Sequence, residues 1–132
     1  MKLLVDTGVL LRWFEGGRGL SAAQRRAIER AKPEEPLLVS DISLWEIATL
    51  SELRRIRLRL PLRDWLEQAT APPLVSRCAI TPAVAAEVAG LPSTFHRDPA
   101  DRIIVATARV HGATLLTADG LIAKAGIVPT LK

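Results

Sequence analysis

Lys2-Leu3-Leu4-Val5-Asp6-Thr7 is a short apolar run that stops at a carboxylate. The same pattern recurs at Leu37-Leu38-Val39-Ser40-Asp41 and at Leu115-Leu116-Thr117-Ala118-Asp119. None of these runs alternates polar with apolar residues, so each reads as a strand buried on both faces, the habit of parallel sheets. Between and around them lie stretches with helical signals. Residues 7–14 place Val9, Leu10 and Trp13 at helical spacing, and residues 21–32 begin at a serine cap and stop before Pro33. Further helices are predicted from Ser43 to about Leu53, from Pro61 to near Thr70, from Thr81-Pro82 to Gly90, and from Pro99 to about His111, where Gly112 closes the turn. Val75 to Ile80 reads as another strand, and a short helix and an extended piece, Ile127 to Leu131, finish the chain. Strands alternating with helices predict an α/β fold, a three-layer α/β/α sandwich with a central parallel sheet, spanning residues 1–132 as a single domain.

The composition is consistent with this. The chain has 132 residues and is 48% hydrophobic, enough for one good core. No apolar run approaches the ~20 residues that span a bilayer, and Met1-Lys2 leads straight into the first strand without the pattern of a signal peptide. A single cysteine, Cys78, excludes an internal disulfide and a cysteine-based metal cluster. A reducing cytoplasm is the expected compartment. Lys and Arg exceed Asp and Glu by 18 − 14 = +4. If several acids are committed to one metal site, the rest of the surface is more basic than the total, which suits a polyanion.

Each acid has a structural explanation when taken alone. Asp6 sits where a helix N-cap belongs. Ser43-Leu44-Trp45-Glu46 matches a capping box. Asp98-Pro99-Ala100-Asp101 reads as an N-cap, a proline in the first turn and an acid favoured by the helix dipole. Asp119-Gly120 is a common turn pair. Taken jointly, the acids fall at strand ends or in the helical turns that follow. Those positions share one edge of a parallel sheet, where open α/β sheets bind ligands. Carboxylates gathered there repel unless a cation lies among them. Hard divalent cations take oxygen ligands, and a pair of such ions about 4 Å apart suits cleavage of a phosphodiester.

Four blocks together resemble the PIN-domain ribonucleases, specifically the VapC-type toxins of bacterial toxin–antitoxin pairs. The blocks are Leu4-Val5-Asp6-Thr7 with Leu10-Leu11, Ser40-Asp41-Ile42-Ser43-Leu44-Trp45-Glu46-Ile47, His96 to Ala108, and Leu115-Leu116-Thr117-Ala118-Asp119. The resemblance covers almost the whole chain. It implies an α/β/α fold and a Mg²⁺- or Mn²⁺-dependent endoribonuclease acting on RNA. It carries a catalytic quartet onto Asp6, Glu46, Asp101 and Asp119. Asp6 and Asp101 would be the principal metal ligands, with Glu46 and Asp119 orienting water or holding a second ion. Thr117 would support the ligands, and Asp98 would act as a cap, an outer ligand or both. The resemblance also implies a small cognate antitoxin and a homodimer. Asp41 falls outside the quartet and reads as a cap or loop residue. Gly8 departs from the family's first motif, which often has a polar or bulky residue there; this weakens the helix start but leaves the carboxylate in place.

Other residues receive plainer readings. Trp13, Trp45 and Trp65 sit in helical patterns and are assigned to the core, Cys78 to a buried inert position, and His111 to a helix end. Arg54, Arg55, Arg57 and Arg59 form a basic run that reads as a solvated face. Arg54 and Arg55, with Arg102 beside the acidic motif, are also the candidates for contacting RNA phosphates. His96 and Arg97 are further candidates for touching RNA. A phosphorelay receiver would need an acid pair after the first strand and a lysine after a late one, and neither is present. An Asp-x-Asp phosphatase fails because Gly8 stands two residues after Asp6. The remaining alternative is a PIN-like binding module without catalysis.

Overall fold

A computed structural model describes residues 1–132. Five strands form one all-parallel sheet: β1 (Leu3–Val5), β2 (Leu37–Ser40), β3 (Val75–Cys78), β4 (Thr114–Leu116) and β5 (Thr130–Leu131). Their order across the sheet is β3-β2-β1-β4-β5. Seven helices connect them: α1 (Thr7–Phe14), α2 (Ala22–Glu29), α3 (Asp41–Glu52), α4 (Leu62–Ala69), α5 (Pro82–Ala89), α6 (Pro99–His111) and α7 (Gly120–Ala125). The chain winds outward from β1 in one direction and then returns to β4 on its other side. The carboxyl ends of β1 and β4 therefore flank the point where the winding reverses, the place where such sheets open a crevice.

The strands divide their side chains between two cores, as the twofold alternation of a strand requires. Val5, Leu37, Val39 and Leu116 join α1 to α4 through Val9, Leu10, Ile28, Ile47 and Trp65. Leu4 and Leu115 face the other way, onto Ile104, Val105, Ala108 and Ile122 of α6 and α7. The predicted sandwich is thus the observed one. Local signals also hold where they are strictly local. Ser21 caps α2 in a full capping box with Gln24, and Gly112 ends α6 at φ 64, a left-handed conformation that costs glycine little.

Three readings are corrected. The helix after β2 begins at Asp41, with Ser40 as its cap, so Ser43 lies inside the helix and forms no capping box with Glu46. The Ser43 hydroxyl instead bonds that of Thr7 at 2.9 Å, joining α3 to α1. Trp45 is not core but 60% exposed, because the face of α3 that meets the sheet carries Ser43 and Ile47. The strand expected over 75–80 ends at Cys78. No helix is long and apolar enough to cross a membrane.

Gly8 lies in the first turn of α1 without a positive φ. A methyl group there would touch only the Asp6 carboxylate, at an ordinary 3.6 Å. Gly8→Ala is therefore expected to stabilise the protein by about 0.5–1 kcal/mol, as removal of a helical glycine does. A urea titration checks this; a loss of stability would show that the turn needs glycine.

Candidate active site

Asp6 leaves β1 with its backbone N–H still bonded to Leu116 O at 3.1 Å, which holds it against the end of β4. Its side chain caps α1, accepting from Val9 N at 2.7 Å. Asp119 follows β4 and caps α7 through bonds from Leu121 N at 2.8 Å and Ile122 N at 3.4 Å. Thr117 stands between them, fully buried. Its hydroxyl accepts the Asp119 N–H at 3.0 Å and favours the ionised form of the neighbouring Asp6 carboxylate. Asp101 enters from the first turn of α6, where its own N–H donates to the capping Asp98 carboxylate at 2.9 Å. Glu46 arrives from the second turn of α3.

Electrostatics link these groups. Burial raises the Asp6 carboxyl above its ordinary value, and Asp119 pushes it further; bonds from Thr117 and Val9 and the charge of Arg12 offset part of the rise. Glu46 is raised by burial and by the charges of Asp101, Asp98 and Asp6, partly offset by the nearby Thr7 hydroxyl. Asp101 is raised by burial and by Asp98 and Asp119, against the His96 bond. Each of the four therefore feels at least one of the others, and the cluster lacks enough positive charge of its own.

The donor set fits a divalent cation. Three ligand atoms, one each from His96, Asp101 and Asp119, lie within 4.8 Å of one another, and all three residues are partly buried. The His96 Nε2 sits 2.9 Å from Asp101 Oδ2. Sequence reasoning gave His96 no place among the acids. The signal was its position in the polar loop directly before the Asp98 cap, which swings back over the helix start.

Other candidates separate from this cluster. Asp98 is exposed and acts as the cap of α6. Arg54 and Arg55 are exposed, but they follow the carboxyl end of α3, whose last residue, Glu52, lies about 9 Å along the axis from Glu46 at about 1.5 Å per residue. Arg102 is corrected outright. It is buried, and its guanidinium donates to Phe95 O at 3.2 Å, His96 O at 3.3 Å and Val88 O at 3.4 Å, so it is spent inside the protein and has no fork to offer a phosphate. A cavity of about 710 Å³ lies at the opposite edge of the sheet between Leu3, Ala27, Leu37 and Leu131 and contains none of the clustered acids. Donor chemistry rather than cavity size locates the site, since a hard divalent cation is held by gathered oxygen and nitrogen donors and not by an enclosed apolar volume.

The raised carboxyls make a stability prediction. The folded state holds protons on Asp6, Glu46 and Asp101 at pH values where the unfolded chain has lost them. Their contribution to stability therefore falls as pH rises from about 4, the ordinary carboxylate range, through the raised folded values. A divalent cation reverses the trend by favouring the ionised forms. Thermal unfolding from pH 4 to 8, with chelator and with Mg²⁺ or Mn²⁺, should show the two curves diverging toward neutral pH. Curves that stay parallel would remove the charge cluster as their cause.

Three comparisons bear on this geometry. A family model described as PIN domain matches residues 3–128. Ribonuclease VapC22 of Mycobacterium tuberculosis (strain ATCC 25618 / H37Rv) is 44% identical over 117 residues, covering 89% of this chain and 86% of that protein. Among solved structures, VapBC2 from Rickettsia felis bound to a promoter DNA fragment aligns with a TM-score of 0.73 at 12% identity, over 99% of this chain and 98% of that one. Mycobacterium tuberculosis VapC20, a toxin that cleaves the sarcin-ricin loop, aligns at 0.70 with 19% identity, over 96% and 97%. A toxin–antitoxin complex from Klebsiella pneumoniae aligns at 0.67 with 20% identity, over 99% and 97%. At such low identities the structural likenesses show the fold.

Proposed function

The chain belongs to the PIN-domain family, and from that premise we propose that it is a metal-dependent endoribonuclease, the toxin of a toxin–antitoxin pair. The observation that carries this reading is the meeting of Asp6, Glu46, Asp101 and Asp119 at the reversal point of the sheet, with the first three carboxyls raised by burial and by acidic neighbours. Asp6 and Asp101 hold a Mg²⁺ or Mn²⁺ ion, and Glu46 and Asp119 hold a second ion or orient water. Bound there, the cation would neutralise phosphate charge and make water a stronger nucleophile. Thr117 helps keep Asp6 and Asp119 in one arrangement, its hydroxyl accepting the Asp119 N–H and favouring the Asp6 carboxylate. Arg54 and Arg55 extend the contact to RNA phosphates away from the reacting bond.

The ribonuclease name of the 44% identical relative supports the RNA substrate. The toxin–antitoxin complexes among the structural neighbours support a small antitoxin that covers the acidic edge. A homodimer and a cytoplasmic setting belong to the same reading. The test is incubation of the purified protein with total RNA at low salt, with Mg²⁺, with Mn²⁺ and with chelator. Low salt is used because phosphate contacts weaken steeply with ionic strength. Discrete fragments that require metal support the nuclease. Metal binding without cleavage of RNA from cells in which the protein arrests growth would favour a non-catalytic binding module.

A further inference from the structure

The geometry points to His96 as a direct nitrogen ligand of a cation that Asp101 shares with Asp119, the second ion position named above, which makes that position prefer a transition ion such as Mn²⁺ over Mg²⁺. The inference rests on the nuclease reading above and names a residue outside its acidic quartet. Octahedral ions with bonds near 2.1 Å place neighbouring ligand atoms about 3 Å apart. His96 Nε2 and Asp101 Oδ2 are 2.9 Å apart, and the Asp119 carboxylate completes a triangle no wider than 4.8 Å. His96 and Asp101 thus already have the spacing of neighbouring ligands, and a small inward turn of the Asp119 carboxylate would bring the third atom into the same shell.

The imidazole is held there by the protein. Phe95 is anchored in the second core, and its ring lies 4.4 Å from that of His96. The buried Arg102 pins the backbone carbonyls of both residues. The loop therefore delivers His96 to the acids as a placed group; its side chain is only 24% exposed. Nitrogen is a poor donor for Mg²⁺, which is bound through oxygen; imidazole suits the later first-row ions best, and Mn²⁺, although it also takes oxygen ligands, is softer than Mg²⁺ and accepts imidazole more readily. A His in place of a carboxylate also adds a ligand without adding negative charge to an edge already crowded with it.

The chain has only one other histidine, His111, ten residues beyond Asp101 on α6 and so about 15 Å away along the axis. Any imidazole nitrogen bound to the cation is therefore that of His96. The experiment is pulsed electron paramagnetic resonance on the purified protein loaded with Mn²⁺ alone, paired with calorimetric titration of Mn²⁺ and Mg²⁺. The wild type should show nitrogen coupling to Mn²⁺. His96→Gln keeps an N–H that reaches Asp101 but removes the imidazole. It should lose the coupling and weaken Mn²⁺ binding at least about tenfold, the smallest loss usual for altering a metal site's partners, with a much smaller change for Mg²⁺. Mn²⁺ bound without nitrogen coupling would overturn the role of His96 and leave the nuclease reading intact. Failure of the wild type to bind either ion would overturn both.

Discussion

Asp6→Asn is expected to lower metal-dependent RNA cleavage by about three orders of magnitude while leaving the apo protein at least as stable as the wild type. The loss follows from removing a charged ligand from a cation that contributes several kcal/mol of transition-state stabilisation, each 1.36 kcal/mol being tenfold in rate. The stability half follows from burial. Desolvation raises the Asp6 carboxyl, so its ionised form is a cost to the folded state at neutral pH. Asparagine removes that charge, and its side-chain oxygen still caps α1 by accepting from Val9 N. Asp6→Ala removes the cap as well and should cost about 1 kcal/mol. Single-turnover cleavage and thermal unfolding in chelator measure the two halves. Cleavage within tenfold of wild type would remove Asp6 from the catalytic site, and a lower melting point for Asp6→Asn would mean that its charge is compensated in a way the burial does not suggest.

Arg102→Met is expected to lower the unfolding free energy by about 3 kcal/mol, since a charge-assisted hydrogen bond contributes about 1.5–3 kcal/mol and this guanidinium serves three carbonyls at 3.2–3.4 Å. The carbonyls of Phe95, His96 and Val88 would be left without their donor, and the loop before α6 would loosen. The methionine fills much of the same volume, so the effect reports the polar contacts more than a cavity. Urea unfolding gives the stability. The salt dependence of RNA binding separates the two views of this arginine: a residue that contacts phosphate would reduce the slope by about one, whereas a buried one leaves it unchanged. A reduced slope with unaltered stability would reverse the assignment made from the burial.

These two residues mark how far the sequence could be read. Asp6 was legible because its signal is local: an apolar run, a carboxylate and a helix start adjoin in the chain, and the sheet has one edge where such junctions meet. The same logic led to the other acids at this edge and to the parallel sandwich. Arg102 and Trp45 were misread for a common reason. Arg102 follows Asp101 and looked like part of the site, yet a helix turns about 100° per residue, which sends neighbours to different faces. Asp101 faces the acids, and Arg102 turns inward under the loop of residues 93–98. Trp45 adjoins Glu46 and was assigned to the core by its apolar character alone, but the buried side of α3 was already taken by Ser43 and Ile47. Glu46 was read with the wrong local partner, because the helix is capped by Ser40, three residues earlier than the Ser-x-x-Glu pattern suggested.

The sequence by itself determined the layers, the parallel sheet and the acids at strand ends, since unbroken apolar runs, caps and helix stops act over a few residues and leave their mark in order along the chain. Only the tertiary structure decided the company those acids keep: Thr117 joining Asp6 to Asp119, His96 folded back to within 2.9 Å of Asp101, and Arg102 turned inward to hold the loop that carries it. Those relations depend on which elements pack together and on how each helix is rotated about its axis. That rotation is set by the sum of many small packing contacts rather than by any residue type at a given position.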